Sequence, residues 1–171
     1  GLTLGTLNTG NLTATSTGGG VLNLGQGTVA GTLTATSAGA ITQTGVINAG
    51  DVNLSVTQLN SDILLDSAAN NFSGTVAIAG VASNVRDFAL RNINAAAGVV
   101  TDLGNATTTN LRDLTIIYNS AGYVVPTFTM VASLRNISIT TGGTITQAVG
   151  GIVQSAGSTT FLNSGSFPIT L

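Results

Sequence analysis

The sequence carries little charge and lacks several chemically versatile residue types. Its 171 residues include no His, Cys or Trp, and only 6% of them are charged. All six acidic residues are Asp and all four basic residues are Arg, so Lys and Glu are absent. An ordinary globular domain has about 25% charged residues. Thr, Ser, Asn and Gly must therefore supply most of the polar surface of this chain.

These absences exclude several classes of function. Without His and Cys the chain cannot form a Ser-His-Asp or Cys-His nucleophile, and a zinc site loses its preferred ligands. A net charge of −2 offers no basic surface to a nucleic acid backbone. Polar residues also interrupt every apolar run before it reaches the length of a membrane-spanning helix. We predict that the chain is not an enzyme, has no catalytic, cofactor-binding or metal residues, needs no cofactor, binds no nucleic acid and does not insert into a membrane.

The remaining residues form short alternating segments bounded by Gly, Asn or Ser. Leu33–Thr36, Val52–Val56 and Ile137–Thr140 alternate apolar and polar residues with a period of two. This period is typical of β-strands that bury one face. The strong helix formers Glu and Lys are missing, so the sequence predicts an all-β fold.

Two sequence motifs recur at related distances. Asn11–Ser16 recurs as Thr32–Ser37, and Gly39–Gln43 recurs as Gly143–Gln147 at close to five times that distance. A Leu-Arg-(Asn/Asp)-aliphatic motif recurs at nearly the same short interval, at the following segments: Leu90-Arg91-Asn92-Ile93, Leu111-Arg112-Asp113-Leu114 and Leu134-Arg135-Asn136-Ile137. Both motifs indicate one structural repeat of about 21 residues.

A repeat of this length corresponds to one coil of a β-solenoid. Each coil buries its apolar residues only by stacking on its neighbours. We therefore predict a right-handed parallel β-helix with about 21 residues per coil and about 8 coils. Residues 1–171 would form a single β-helix segment, part of a longer rod or of a stacked filament. A β-sandwich is the alternative fold, although it would not repeat side-chain identities so regularly.

Several segments resemble a known family of repeats. Gly31–Gly45, Asn70–Val76 and Gly142–Gln147 are similar to the repeats of filamentous haemagglutinin-type proteins, which are large surface exoproteins of Gram-negative bacteria. The resemblance extends over most of the chain, but Val85–Met130 is less regular and contains most of the charge. It implies a right-handed β-helix, secretion to the extracellular bacterial cell surface, and a role in adhesion. It supplies no catalytic residues.

The recurring Arg motif predicts a ladder of stacked side chains. At the coil period, Arg91, Arg112 and Arg135 would lie above one another, and so would Asn92, Asp113 and Asn136. The Arg column has two interpretations: a basic stripe for an acidic glycan, or a solvated corner where the Arg stems cover apolar surface. Stacked amides would stabilise the solenoid through hydrogen bonds along its axis.

Three functions are compatible with these features. The first is a structural or adhesive segment of a secreted surface exoprotein that can form filaments. The second is a carbohydrate-binding or carbohydrate-processing β-helix protein that uses Asp and Arg between residues 60 and 135. An enzyme of this kind would gather Asp62, Asp66, Asp87, Asp102 or Asp113 in one groove, whereas a stalk would spread them. The third is a phage or pilus-like fibre subunit.

The predicted ends of the solenoid suggest its partners. Gly1–Gly10 and Ser155–Leu171 continue the strand pattern instead of forming a polar cap. The end coils of a solenoid expose strand edges that can pair with another chain. We expect end-to-end stacking on other copies or on adjoining β-helix of the same chain, with host or bacterial surface glycans as further partners.

Overall fold

The computed structural model describes residues 1–104, 107–128 and 133–171 and confirms the predicted fold. It is an all-β, right-handed solenoid in which all the pairings between its strands are parallel. The one helical element in these residues is a single 3-10 turn, Ala82–Asn84. No helix in the described part of the chain is long and apolar enough to cross a membrane.

One face of the solenoid runs through every coil. Its eight strands follow one another in this order: β1 (Leu2–Thr3), β4 (Leu22–Asn23), β7 (Ile41–Thr42), β10 (Ser61–Phe72), β12 (Val85–Asn92), β13 (Asp113–Tyr118), β15 (Asn136–Thr141) and β17 (Thr159–Asn163).

The other faces are shorter. The second face pairs β2 (Thr6–Thr9), β5 (Gln26–Val29) and β8 (Ile47–Ala49) with the end of β10, which therefore belongs to two faces. The third face contains β3 (Leu12–Ser16), β6 (Leu33–Ser37), β9 (Val52–Val56) and β11 (Val76–Ile78). A separate face near the C-terminus contains β14 (Tyr123–Val125), β16 (Ile145–Gln147) and β18 (Ile169–Thr170).

The coils are longer and fewer than predicted. The eight strands of the continuous face are separated by seven laps of roughly 22 residues each. The lap from Leu22 to its partner Ile41 is the shortest of them, and the lap from Phe88 to its partner Leu114 is the longest. The predicted period suits the first coils, but the longer middle laps reduce the number of coils from about eight to seven.

Alternating side chains build one core along the solenoid axis. In the third face Leu12, Leu33 and Val52 are register partners, as are Thr13, Thr34 and Asn53 on the opposite side of the same strands. The inward Leu33 and Val52 are fully buried. Leu and Val side chains in such a column each gain about 1.5–3 kcal/mol from burial, which only stacking can provide.

The motif shared by Gly39–Gln43 and Gly143–Gln147 forms the same corner on two different faces. The first copy joins β6 to β7, whereas the second joins β15 to β16. Ser37 and Thr141 are both buried at these corners, and their hydroxyls donate to the carbonyl oxygens of Ala40 (3.2 Å) and Gly143 (2.7 Å). The distance between the two copies is therefore not five whole laps: the motif encodes a local strand-corner-strand unit.

Buried amides interrupt the apolar core between β7 and β10. Gln43 and Asn70 form two hydrogen bonds between their side chains, of 2.9 and 2.8 Å. Asn70 also accepts from the backbone N–H of Ile47 (3.0 Å) and donates to the carbonyl of Leu65 (2.9 Å). Because Asn70 is fully buried, these bonds replace all the hydrogen bonds that its amide loses to water.

The lap between β12 and β13 lacks the regular strands of the other coils in its described part. Thr101 pairs with Ala77 by a single bridge, and the hydroxyl of Tyr118 donates to the carbonyl of Gly98 at 2.7 Å. Leu103 and Leu111 are nevertheless buried in the common core. This lap therefore stacks by apolar contacts and a few polar contacts rather than by a continuous ladder of backbone hydrogen bonds.

Candidate functional site: a ladder of arginine and aspartate

Six of the ten charged residues form one alternating ladder along the continuous face. We call this set the Arg–Asp ladder; its members, from one end to the other, are Asp62, Arg86, Asp87, Arg112, Asp113 and Arg135. They lie on β10, β12, β13 and the residues just before β13 and β15. In the upper three laps each Arg follows an inward aliphatic residue, Val85, Leu111 or Leu134, and therefore points outward.

Each Arg in the lower part of the ladder bridges two laps. Arg86 binds Asp62 through two nitrogens, at 2.9 and 2.6 Å, and lies 3.5 Å from Asp87. Arg112 binds Asp87 in the same forked manner and Asp113 at 2.9 Å. Forked guanidinium–carboxylate pairs fix orientation as well as charge. The ladder therefore holds three successive laps in register.

The pKa shifts agree with this pairing. The hydrogen bond with Asp62 raises the pKa of Arg86 above its usual value, and that with Asp87 does the same for Arg112. Burial by itself would raise the pKa of Asp113, but the hydrogen bond from Asn136 and the charges of Arg112 and Arg135 outweigh it. The net result is a pKa of Asp113 below its usual value, so this carboxyl is ionised near neutral pH.

A depression of about 330 Å³ opens beside the ladder. We call it the tri-arginine groove; it is lined by Asn60, Arg86, Asn110, Arg112, Ser133 and Arg135. The amide of Asn110 donates to the amide oxygen of Asn60 at 2.7 Å, which links two sides of the groove. The Ser133 hydroxyl donates to the carbonyl of Leu111 at 2.9 Å. The groove thus combines guanidinium, amide and hydroxyl groups from several laps.

The structure corrects the predicted position of Arg91. This residue pairs with Ile117 and donates to the Asn119 side chain at 3.1 Å, so it does not stack on Arg112. The neighbour of Arg112 on the preceding lap is Arg86, whose carbonyl accepts from the Arg112 backbone N–H. The physical reason is the long lap from Phe88 to Leu114, which moves the spacing of the motif five positions out of register.

Asn92 is displaced for the same reason and has a different environment from the one predicted. It pairs with Tyr118 instead of Asp113, and its side chain is buried. Its amide donates to the carbonyl of Phe72 at 3.0 Å, and its oxygen accepts from the backbone N–H groups of Phe72 and Asn94. Asn70 is its register partner on the preceding lap. Asn92 therefore belongs to an inward column of amides.

The upper part of the predicted ladder lies where the motif placed it. Asn136 is the register partner of Asp113, and its amide donates to that carboxylate at 2.7 Å. The backbone N–H of Arg135 donates to the carbonyl of Arg112, and its guanidinium approaches Asp113 at 3.4 Å. The structure thus brings Arg112, Asp113, Arg135 and Asn136 together and separates Arg91 and Asn92 from them.

Sequence reasoning missed Arg86, Asp62 and Asp87 as ladder members. A usable signal was present, because Val85-Arg86-Asp87-Phe88 has the same aliphatic-Arg-acid-apolar pattern as Leu111-Arg112-Asp113-Leu114. The competing copy at Leu90–Ile93 matched the expected period, and that period was the wrong criterion for the longest lap.

The remaining aspartates do not join this ladder. Asp66 lies further along β10, Asp51 accepts from the backbone N–H of Thr75 at 2.8 Å, and Asp102 lines a different depression with Ile78 and Thr107. Within the described ranges no group of three or more acidic, His or Cys residues could hold a metal ion. Three of the five aspartates that an enzyme would gather do align, but each of them faces a guanidinium.

Comparison with protein-family models gives one match, to repeats of unknown function (DUF5649), over residues 9–79 and 112–171. The chain belongs to this family. The matched stretches of DUF5649 repeat contain both copies of the corner motif, and residues 80–111 between them contain most of the long lap. No curated protein and no solved structure matches the chain.

The Arg–Asp ladder connects all three parts of the chain. Asp62 lies in the first DUF5649 stretch, Arg86 and Asp87 lie in the unmatched segment, and the other ladder residues lie in the second stretch. The tri-arginine groove is therefore built where regular repeats meet the unmatched lap.

Proposed function

We propose that this chain is a rod-forming segment of a secreted surface exoprotein, with a structural and adhesive role. The β-solenoid of DUF5649 repeats supplies a stiff spacer, because each coil is fixed to its neighbours by a common core. The resemblance of Gly31–Gly45 to filamentous haemagglutinin-type repeats supports the surface location. The role proposed is non-catalytic, which agrees with the lack of His and Cys and with the ion pairing of the ladder aspartates.

One observation carries this proposal: the inward residues of the end coils are only partly covered. Leu2 and Leu12 are half-buried, whereas their register partners Leu22 and Leu33 are fully buried. At the opposite end Ile169 is 43% exposed above the fully buried Ile145. Each end can bury this apolar surface by accepting another coil, from adjoining chain or from a second copy.

The test is whether copies of this chain stack through these ends. We expect its mass in light scattering to rise with concentration, and electron micrographs to show rods longer than one solenoid. Leu2→Lys places a charge on the inward side of β1 and should block growth. Thr3→Lys adds the same charge on the outward side of β1 and should leave growth unchanged.

Two results would contradict the proposal. One is a wild-type chain that stays monomeric at high concentration and shows only compact particles. The other is equal assembly of the Leu2→Lys and Thr3→Lys variants, with circular dichroism showing that both retain their strands.

A second role, carbohydrate binding, is favoured by the tri-arginine groove. Amide, hydroxyl and guanidinium groups from several laps converge there on one depression. A small number of convergent polar groups in a concave surface is the usual form of a small-ligand site. An adhesive rod would use such a groove to contact a surface glycan.

A further inference from the structure

We propose that the tri-arginine groove binds the carboxylated sugar units of an acidic polysaccharide, with Arg135 as its main contact. This inference rests on the carbohydrate-binding role proposed above and names the class of sugar. It follows from three properties of the groove: the relative exposure of its charges, the incomplete pairing of Arg135, and the neutral polar groups around it.

The charges of the Arg–Asp ladder are not equally exposed. The Asp62 and Asp87 side chains are 17% and 15% exposed, whereas Arg86 and Arg112 are 37% and 35% exposed. The carboxylates therefore lie behind the guanidinium groups, although the ladder contains equal numbers of both. The groove lining includes three Arg and no Asp. A ligand that enters the groove meets a basic surface, which favours an anionic group.

Arg135 is the least neutralised member of the ladder. It contacts Asp113 through one nitrogen at 3.4 Å, and its side chain is 56% exposed. The residue that follows it is Asn136, whereas Asp follows Arg86 and Arg112. Gly157 lies against its backbone, and a Cβ there would come within 2.4 Å of the Arg135 carbonyl oxygen. That position on the next lap therefore cannot carry a carboxylate to complete the ladder.

The guanidinium of Arg135 can accordingly receive a carboxylate from outside the chain. A guanidinium presents five N–H donors in a planar fork, of which the contact with Asp113 uses few. Two parallel hydrogen bonds to a carboxylate suit this geometry, and charge-assisted bonds are about twice as strong as neutral ones.

The neutral groups of the groove favour a sugar over an acidic peptide. Asn60, Asn110 and Ser133 provide amide and hydroxyl groups that can pair with the hydroxyls on a sugar ring. The volume of about 330 Å³ falls at the lower end of the range for small-ligand sites. A single uronic acid unit offers both the carboxylate and the hydroxyls that these side chains match.

The test measures binding of the wild-type chain to four polymers: polygalacturonate, neutral dextran, dextran sulfate and polyglutamate. We expect polygalacturonate to bind more tightly than the other three. Arg135→Gln should weaken that binding about tenfold, because it removes a charge-assisted pair. Arg135→Lys should restore it only in part, since an ammonium cannot form the forked contact.

Arg91→Gln is the matched control. It removes the same charge from the neighbouring part of the same face, but Arg91 does not line the groove. It should change the affinity less than about twofold, given that salt-screened charges outside a site contribute little. Thermal unfolding of each variant checks that the fold is retained, as expected for the exposed Arg135 side chain.

Each remaining outcome overturns a defined part of the inference. If none of the polysaccharides binds, the carbohydrate-binding role fails as well. If neutral dextran binds as tightly as polygalacturonate, that role stands and the acidic assignment fails. Equal binding of dextran sulfate or polyglutamate would show general attraction to anions, and equal effects of Arg135→Gln and Arg91→Gln would show that the groove is not the site.

Discussion

The first coils and the middle of this solenoid stack by different means. In the first coils, successive strands of the third face pair without a shift from Leu12 to Val56. The middle contains the longest lap, from Phe88 to Leu114, and most of that lap has no strand. The regular coils are held by corner hydroxyls and amides, whereas the middle is joined to its neighbours by the Arg–Asp ladder.

This difference shows how one sequence can keep a solenoid in register with two kinds of interaction. A corner motif sets the length of its own lap, so a constant period maintains the register. A long lap loses that constraint, and charges of alternating sign on adjacent strands supply another. The family match reflects the same division, because it covers the regular stretches and omits residues 80–111.

The largest effect should come from breaking the amide pair in the regular part. Asn70→Leu leaves the Gln43 amide, the Ile47 N–H and the Leu65 carbonyl buried without partners. Each unsatisfied group costs about 1–3 kcal/mol. We expect the free energy of unfolding to fall by about 3–5 kcal/mol and Tm by about 10 °C, measured by denaturant and thermal unfolding.

A matched control and a double variant sharpen this prediction. Asn53→Leu, on the outward side of β9, should change stability little. Combining Gln43→Leu with Asn70→Leu should cost less than the sum of the single changes, because the two amides are each other's partners. Additive losses would contradict the role given to this pair.

A somewhat smaller effect should follow from Asn92→Leu on β12. This change leaves the Phe72 N–H and carbonyl and the Asn94 N–H without the amide that now satisfies them. We expect a loss of about 2–3 kcal/mol in unfolding free energy. Asn136→Leu, an exposed position that the sequence motif treats as equivalent, should cost clearly less. Equal losses would show that burial of Asn92 does not matter.

Breaking the Arg–Asp ladder should have a modest and salt-dependent effect. Asp87 binds Arg112 in a forked pair and lies near Arg86, so Asp87→Asn weakens the connection between two laps. We expect Tm to fall by about 2 °C at low salt, with less difference from the wild type at about 1 M NaCl. Asp66→Asn on β10 removes the same charge outside the ladder and serves as control. A decrease that does not depend on salt would argue against an ionic contribution.

The smallest predicted effect is the pH dependence contributed by Asp113. Its pKa is lowered in the folded chain, so its contribution to stability is fully present above the usual value of 3.8. The contribution is lost as the pH falls from 3.8 through the lower folded-state pKa. The stability difference between wild type and Asp113→Asn should therefore be constant from about pH 7 to about pH 5 and shrink below about pH 4. A difference that is unchanged at about pH 2.5 would contradict this assignment.

The sequence was sufficient to predict the fold class and most of the core. Alternation placed Leu33 inward and Thr34 outward, and the repeat identified Leu12 and Leu33 as neighbours. It was not sufficient for the register of the middle laps, because a constant period cannot reveal a single lap of unusual length. Arg112 and Arg135 were therefore placed correctly, whereas Arg91 was put in the position that Arg86 occupies.

The buried amides could not be predicted for a different reason. Asn70 and Gln43 are far apart in the sequence, and nothing in either neighbourhood distinguishes an inward amide from the many outward ones. The bend of β10 between Leu65 and Asn70 shifts the register and turns Asn70 inward. Such a bulge depends on the packing of neighbouring laps, which local sequence patterns do not record.

The central claim, stacking of coils in the register described, is tested most directly by disulfide cross-linking. The chain has no Cys, so introduced pairs are the only thiols. Stacked strands lie about 4.8 Å apart, which is within the Cα separation that a disulfide spans. The measurement is the fraction of cross-linked chain after mild oxidation, read by mass spectrometry without reduction.

The account predicts that Arg91→Cys with Ile117→Cys forms a disulfide, because these residues are register partners on adjacent laps. The pair Arg91→Cys with Arg112→Cys should remain reduced, since a constant period would join these residues but the long lap separates them. Efficient cross-linking of the second pair and none of the first would contradict the register on which the Arg–Asp ladder and the tri-arginine groove depend.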